Sequence, residues 1–130
     1  MSQQTDNKLA EHGESLWMLV TSPTVWAAHF LASYLTAAIW CAKAVDRSAP
    51  FNTVRFIVGG YTVAALVAIA LSGWLGWRRV SFQREDLPHD DDTPLDRYRF
   101  LGFATLLLSG LSFIATLFVA AVFVFMETCD

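Results

Sequence analysis

The stretch FLGFATLLLSGLSFIATLFVAAVFVFM, residues 100–126, contains no Asp, Glu, Lys, Arg or Pro. A helix needs about 20 apolar residues to cross a hydrocarbon core about 30 Å thick, and this stretch exceeds that length. Two further uncharged runs, Pro23–Ala42 and Phe56–Trp77, reach it as well. A soluble helix would interleave polar residues at helical spacing, and these runs do not. Lipid offers backbone amides no partner, so each run must close its hydrogen bonds within a helix. The expected fold is an all-α membrane protein, with three transmembrane helices in a small bundle behind a short interfacial N-terminal segment.

The boundaries follow from the polar punctuation. Residues 1–22 form an N-terminal segment that ends in the apolar stub Leu16–Val20, with Trp17 suited to headgroup level. Ser22 is a good N-cap and Pro23 suits the first helical position, so the first transmembrane helix spans 23–42. The stub can equally be an extra helical turn. Residues 43–55 form a loop, 56–77 the second helix, 78–99 a long polar loop, 100–126 the third helix and 127–130 a tail.

Charge says little about soluble partners. The net charge of −3 is too mild to imply nucleic acid. Residues 1–15 carry Asp6, Glu11 and Glu14 against Lys8, unlike the basic start of a secretory signal. Lys and Arg in the loops do predict orientation. Lys8, Arg78, Arg79, Arg84, Arg97 and Arg99 share one side, against Lys43, Arg47 and Arg55 on the other. The expected arrangement has a cytoplasmic N-terminus and a C-terminus on the outer side.

Polar residues inside the runs recur at helical spacing. His29, Ser33, Thr36 and Trp40 form one stripe on the first helix, and Thr105, Ser109, Ser112 and Thr116 form another on the third. Polar side chains in lipid turn toward protein, so the two stripes are expected to face the bundle interior. The alternative is that each hydroxyl bonds back to its own i−4 carbonyl. On the second helix Gly60, Ala64, Ala68, Ser72 and Gly76 recur every four residues and suit close helix packing. Such a ladder drifts by about 40° per step on a 3.6-residue helix, so one straight partner cannot cover its full length.

Ionisable groups within the spans are few: His29, Cys41 and two tyrosines. An intramembrane histidine is a candidate cofactor site, and haem b is the sharp hypothesis. Haem commonly takes two facing histidines, whereas His12 and His89 lie in polar segments and only a second copy of the chain could supply the mate. The expectation is therefore no cofactor, with His29 structural and facing the third helix near Thr105 or Ser109. The tract His89-Asp90-Asp91-Asp92 resembles a metal site in composition alone and reads as a solvated acidic loop. No nucleophile–base arrangement or phosphate loop is present.

Cys41 and Cys129 are the only cysteines. The first and third helices run the same way, so Cys41 in the last turn of one and Cys129 just past the other reach the same face. An oxidising periplasm favours their pairing as a disulfide. A thiol pair for Cu(I) and two unpaired thiols are the alternatives.

The run Pro23-Thr-Val-Trp26-Ala-Ala-His29-Phe30-Leu-Ala-Ser-Tyr34, then Cys41-Ala42, then Asp96-Arg-Tyr-Arg-Phe100-Leu-Gly and a final Cys, resembles small three-helix inner-membrane proteins of Proteobacteria. That group has no established activity. Its members are often encoded beside haem–copper cytochrome c oxidase genes, and many carry Pro shortly before the final Cys, where this chain has Met126-Glu127-Thr128. The resemblance implies an accessory or assembly role beside a terminal oxidase, with lipid and other membrane subunits as partners and a homo-oligomer as a further option. A haem- or copper-handling protein using His29, Cys41 and Cys129, and a membrane scaffold unrelated to respiration, are the other two readings.

Alkaline phosphatase fused to the C-terminus is expected to be active in cells, because the basic count places that end in the periplasm. An inactive fusion, with a cytoplasmic reporter active at the same place, would reverse the orientation.

Overall fold

A computed structural model describes residues 2–46, 50–82 and 94–129. They form α1 (Ser2–Lys43), α2 (Asn52–Phe82) and α3 (Pro94–Phe125). All three pack on one another, α2 against α3 most extensively. Each contains a segment long and apolar enough to cross a membrane: Leu16–Lys43, Asn52–Arg78 and Arg99–Phe125. The chain is thus an all-α, three-helix, multi-pass membrane bundle, and its helices project past the uncharged runs at one end.

The start of the first helix needs correction. Ser22 does not cap a helix, because α1 continues from Ser2 through Pro23, and the stub Leu16–Val20 is helical. Proline removes one backbone donor, which frees the carbonyl of residue 19. Hydroxyls bracket the spot: Thr21 Oγ1 donates to Trp17 O at 2.6 Å and Thr24 Oγ1 to Val20 O at 2.8 Å. Hydroxyls and neighbouring helices of this kind are what make proline tolerable inside a membrane helix. Ser22 is instead fully buried between helices. The other ends also shift outward: α2 begins at Asn52 and ends at Phe82, and α3 begins at Pro94. Pro94 occupies the first helical position, where its missing N–H costs nothing.

The bundle is small and polar inside, large and apolar outside. Its buried positions include Ser22, His29 and Ser33 on α1 and Thr62, Ala65 and Ile69 on α2. On α3 the buried positions Thr105, Ser109, Ser112 and Thr116 alternate steps of four and three. That period of 3.5 keeps a seam facing its partners. Phe103, Leu107, Leu111, Ile114 and Phe118 point outward on the same helix. This is the expected inversion in a solvent as apolar as leucine, where close packing and hydrogen bonds replace the hydrophobic effect between helices. Among the described residues an apolar core cluster lies near the α1–α2 loop, where Phe51, Val54 and Val58 meet Phe123, with Trp40, Cys41 and Cys129 alongside.

The four-residue ladder on α2 packs at one end only. Gly60 and Ala64 are exposed, and a Cβ on Gly60 would meet nothing within 4 Å. Ala68 and Ser72 are half-buried, and Gly76 is buried. The drift of a four-residue repeat on a 3.6-residue helix explains the progression. The real seam uses Gly73 and Gly76 on α2 and Gly102 on α3. A Cβ on Gly73 would lie 3.3 Å from Ser109 Cβ, and one on Gly102 would lie 2.9 Å from Val80 Cγ2.

Gly102→Leu is accordingly expected to force α2 from α3 and cost about 1–3 kcal/mol, seen as a lower midpoint of thermal unfolding in detergent. Gly60→Leu should stay within about 0.5 kcal/mol of the parent. Equal losses from the two would contradict this seam.

Candidate functional site

The polar interior is organised around three side-chain contacts. Ser22 Oγ lies 2.8 Å from Ser109 Oγ and joins α1 to α3. His29 Nε2 lies 2.9 Å from Thr62 Oγ1 and joins α1 to α2. Arg55, at the start of α2, donates through Nε to Phe123 O at 3.3 Å and through Nη2 to Val124 O at 2.9 Å and Met126 O at 2.8 Å.

His29 therefore sits on α2 and not beside Thr105 or Ser109, which corrects the sequence-based placement. The reason is register. Ser22 meets Ser109 across a separation of 87 residues, and Cys41 meets Cys129 across 88. The same offset sets His29 level with Thr116, about two turns beyond Ser109. Matching the first uncharged residue of each run, Pro23 with Phe100, misaligned the helices because α1 enters the apolar region earlier, near Leu16.

The histidine's tautomer follows from its partner. Thr62 Oγ1 donates its one proton to Val58 O at 2.7 Å. It must therefore accept from His29, which places the ring proton on Nε2 and leaves Nδ1 with a bare lone pair. Nδ1 is buried without a partner, as are Ser33 Oγ one turn further on and Trp40 Nε1. An axial histidine presents Nε2 to haem iron, and here Thr62 engages that atom.

The hydroxyl stripes divide between the two expected behaviours. Both stripes turn inward, and Ser33, Thr105, Ser109, Ser112 and Thr116 are buried. Thr36 Oγ1 nevertheless donates to Ala32 O, Thr105 Oγ1 to Leu101 O and Thr116 Oγ1 to Ser112 O, all four residues back. Only Ser109 reaches another helix. The threonines thus expose methyl groups to neighbours while their own backbone takes the polar atom.

Cys41 and Cys129 are joined as a disulfide with Cα atoms 5.7 Å apart. No thiolate pair is present to hold Cu(I) in this state. Arg55 completes the same end of the bundle. The last turn of α3 contains no basic residue. Its unpaired carbonyls and the negative end of its dipole are instead met by a guanidinium from α2. Sequence reading treated Arg55 only as a loop charge. The available signal was a cation just before the second uncharged run, facing a helix end that lacks one.

Among the described residues, no three His, Cys, Asp or Glu side chains converge on a point. The acidic tract 89–92 lies outside the described residues, as does the side chain of His12. No protein family, curated protein or solved structure matches the chain.

His29→Gln is expected to keep near-parent thermal stability, since an amide can also donate to Thr62. His29→Leu should lose roughly 0.6–1.7 kcal/mol, the range for interhelical hydrogen bonds in membranes. Nitrogen-15 NMR of labelled protein in bilayers checks the tautomer independently. A protonated Nδ1 on neutral His29 would contradict the assignment.

Proposed function

We propose that this chain is a non-catalytic accessory or assembly protein of a bacterial inner-membrane complex. The resemblance of residues 23–42 and 96–102 points to a terminal cytochrome oxidase as that complex. The observation that carries the reading is the outward face of α1. Trp26, Phe30 and Tyr34 stack in sequence, with 6.4 Å between successive ring centroids. All three are exposed. Beside them runs a groove of about 500 Å³ whose walls include Ala37 and Ala38 of α1 and Val119 and Val122 of α3. Small residues flanked by rigid aromatics suit the approach of another helix.

The disulfide and Arg55 bind the ends of all three helices beside that groove, so its shape is held in advance. Preorganisation of this kind lowers the ordering cost of association. The chain's own polar groups are turned inward, which leaves an apolar exterior for lipid and partner subunits. Orientation is part of the proposal. The excess of Arg and Lys on the side of Arg78 and Arg99 supports a cytoplasmic N-terminus. A disulfide at the opposite end agrees with a C-terminus in the oxidising periplasm.

Tagged protein extracted in mild detergent is expected to co-purify with oxidase subunits and to be colourless itself. Replacing Trp26 and Tyr34 together by Ala should reduce the recovered subunits severalfold without loss of the three-helix chain. A Soret band or stoichiometric copper on the isolated chain would replace this reading with haem or copper handling. Recovery free of oxidase subunits would remove the oxidase as partner.

A further inference from the structure

The end of the bundle opposite the disulfide carries a second groove, of about 580 Å³, between the C-terminal part of α2 and the N-terminal part of α3. Its walls are Trp77, Val80 and Ser81 from α2 and Arg99, Phe100 and Phe103 from α3. We propose that this groove binds one anionic phospholipid, with the phosphate on Arg99 and an acyl chain running inward along Phe103 and Leu106.

Three features of the structure support that occupant. The groove straddles the boundary of the apolar spans, which lies at Arg78 on α2 and Arg99 on α3. Its polar rim therefore sits at headgroup level and its apolar depth at acyl level. Next, the backbone fixes its base. Gly102 approaches α2 so closely that a Cβ would lie 2.9 Å from Val80 Cγ2, and a Cβ on Gly76 would lie 3.5 Å from Gly102 O. With the two helices in contact there, the larger side chains on either side stand apart as walls. Finally, the rim is cationic and aromatic. Arg99 is half-buried at the mouth, and Arg78 lies 5.3 Å over the ring of Trp74 one turn back from Trp77. Basic pockets between helices at this level suit phospholipid phosphates, and tryptophan is the usual interfacial anchor.

The rival anion is internal. The connecting residues include Glu85, Asp86, Asp90, Asp91 and Asp92. Carboxylates from the chain and phosphate from a lipid would compete for the same guanidinium, and the apolar depth of the groove is what favours a ligand with a hydrocarbon tail.

The test uses the full disulfide-bonded chain, stripped of lipid in detergent and offered equal amounts of phosphatidylglycerol and phosphatidylcholine. Native mass spectrometry then counts the lipids retained. One phosphatidylglycerol is expected to be held in preference to phosphatidylcholine. Arg99→Gln should lower that preference about fivefold, the usual effect of one basic residue near an anionic lipid surface. Ser81→Trp, which keeps every charge and fills the groove, should lower retention by at least as much. Lys43→Gln at the far end should leave it unchanged. Equal retention of the two lipids by the parent chain, as expected if the acids of 83–93 hold Arg99, would overturn the proposal. So would a preference that survives both Arg99→Gln and Ser81→Trp. Displacement of the lipid by excess glycerol phosphate, which has no tail, would mark a bare anion site and would also overturn it.

Discussion

Hydrocarbon supplies no hydrogen-bond donor or acceptor, and that constraint shapes the polar interior of the bundle. Backbone amides close within three long helices. Threonines at 36, 62, 105 and 116 return their protons to carbonyls four residues back. Such bonds are local and survive whatever neighbours a helix has. The hydroxyl contacts that cross between helices, Ser22 with Ser109 and His29 with Thr62, are therefore the specific ones. They fix rotation and depth in a medium where apolar surfaces alone give no preferred register.

The two ends of the bundle are held by different physics. At the loop end a covalent bond ties α1 to the tail after α3, a guanidinium from α2 satisfies the open carbonyls of α3, and Phe51, Val54, Val58 and Phe123 fill the space between. At the other end the described α2–α3 contact is built on glycine. Gly73, Gly76 and Gly102 let two backbones meet, and van der Waals packing does the rest. Rigid closure at one end and close approach at the other leave a groove on each. One is bordered by aromatics and alanines, the other by aromatics and arginine. That difference is the basis for assigning a helix to the first and a charged lipid to the second.

Orphaned polar atoms along the inner stripe mark where the bundle is incompletely satisfied. His29 Nδ1, Ser33 Oγ and Trp40 Nε1 lie along one face of α1 and have no partner. Each costs free energy in a low-dielectric interior. Their alignment concentrates that cost on one helix, the same helix whose neighbouring face carries the stacked aromatics.

The sequence by itself determined the class of solvent and the number of helices, because charge-free runs of spanning length have no other stable form in lipid. It favoured a Cys41–Cys129 disulfide over a Cu(I) pair or free thiols, and the structure decided for the disulfide. The sequence also determined that the hydroxyl stripes turn inward. Register and partnership were decided by the tertiary structure. Nothing in the periodicity says that Thr62 lies at the depth of His29, or that α2, and not α3, presents its hydroxyl to that ring. The four-residue ladder suggested a packing face that drifts away from its partner, while the true seam sets Gly73 and Gly76 against α3, whose hydroxyls alternate steps of four and three. Arg55 reads as a loop charge until α3 ends beside it. These outcomes depend on how far each helix runs into the membrane and how it is rotated. Uniformly apolar outer faces carry no information about either, so contacts between helices must supply it.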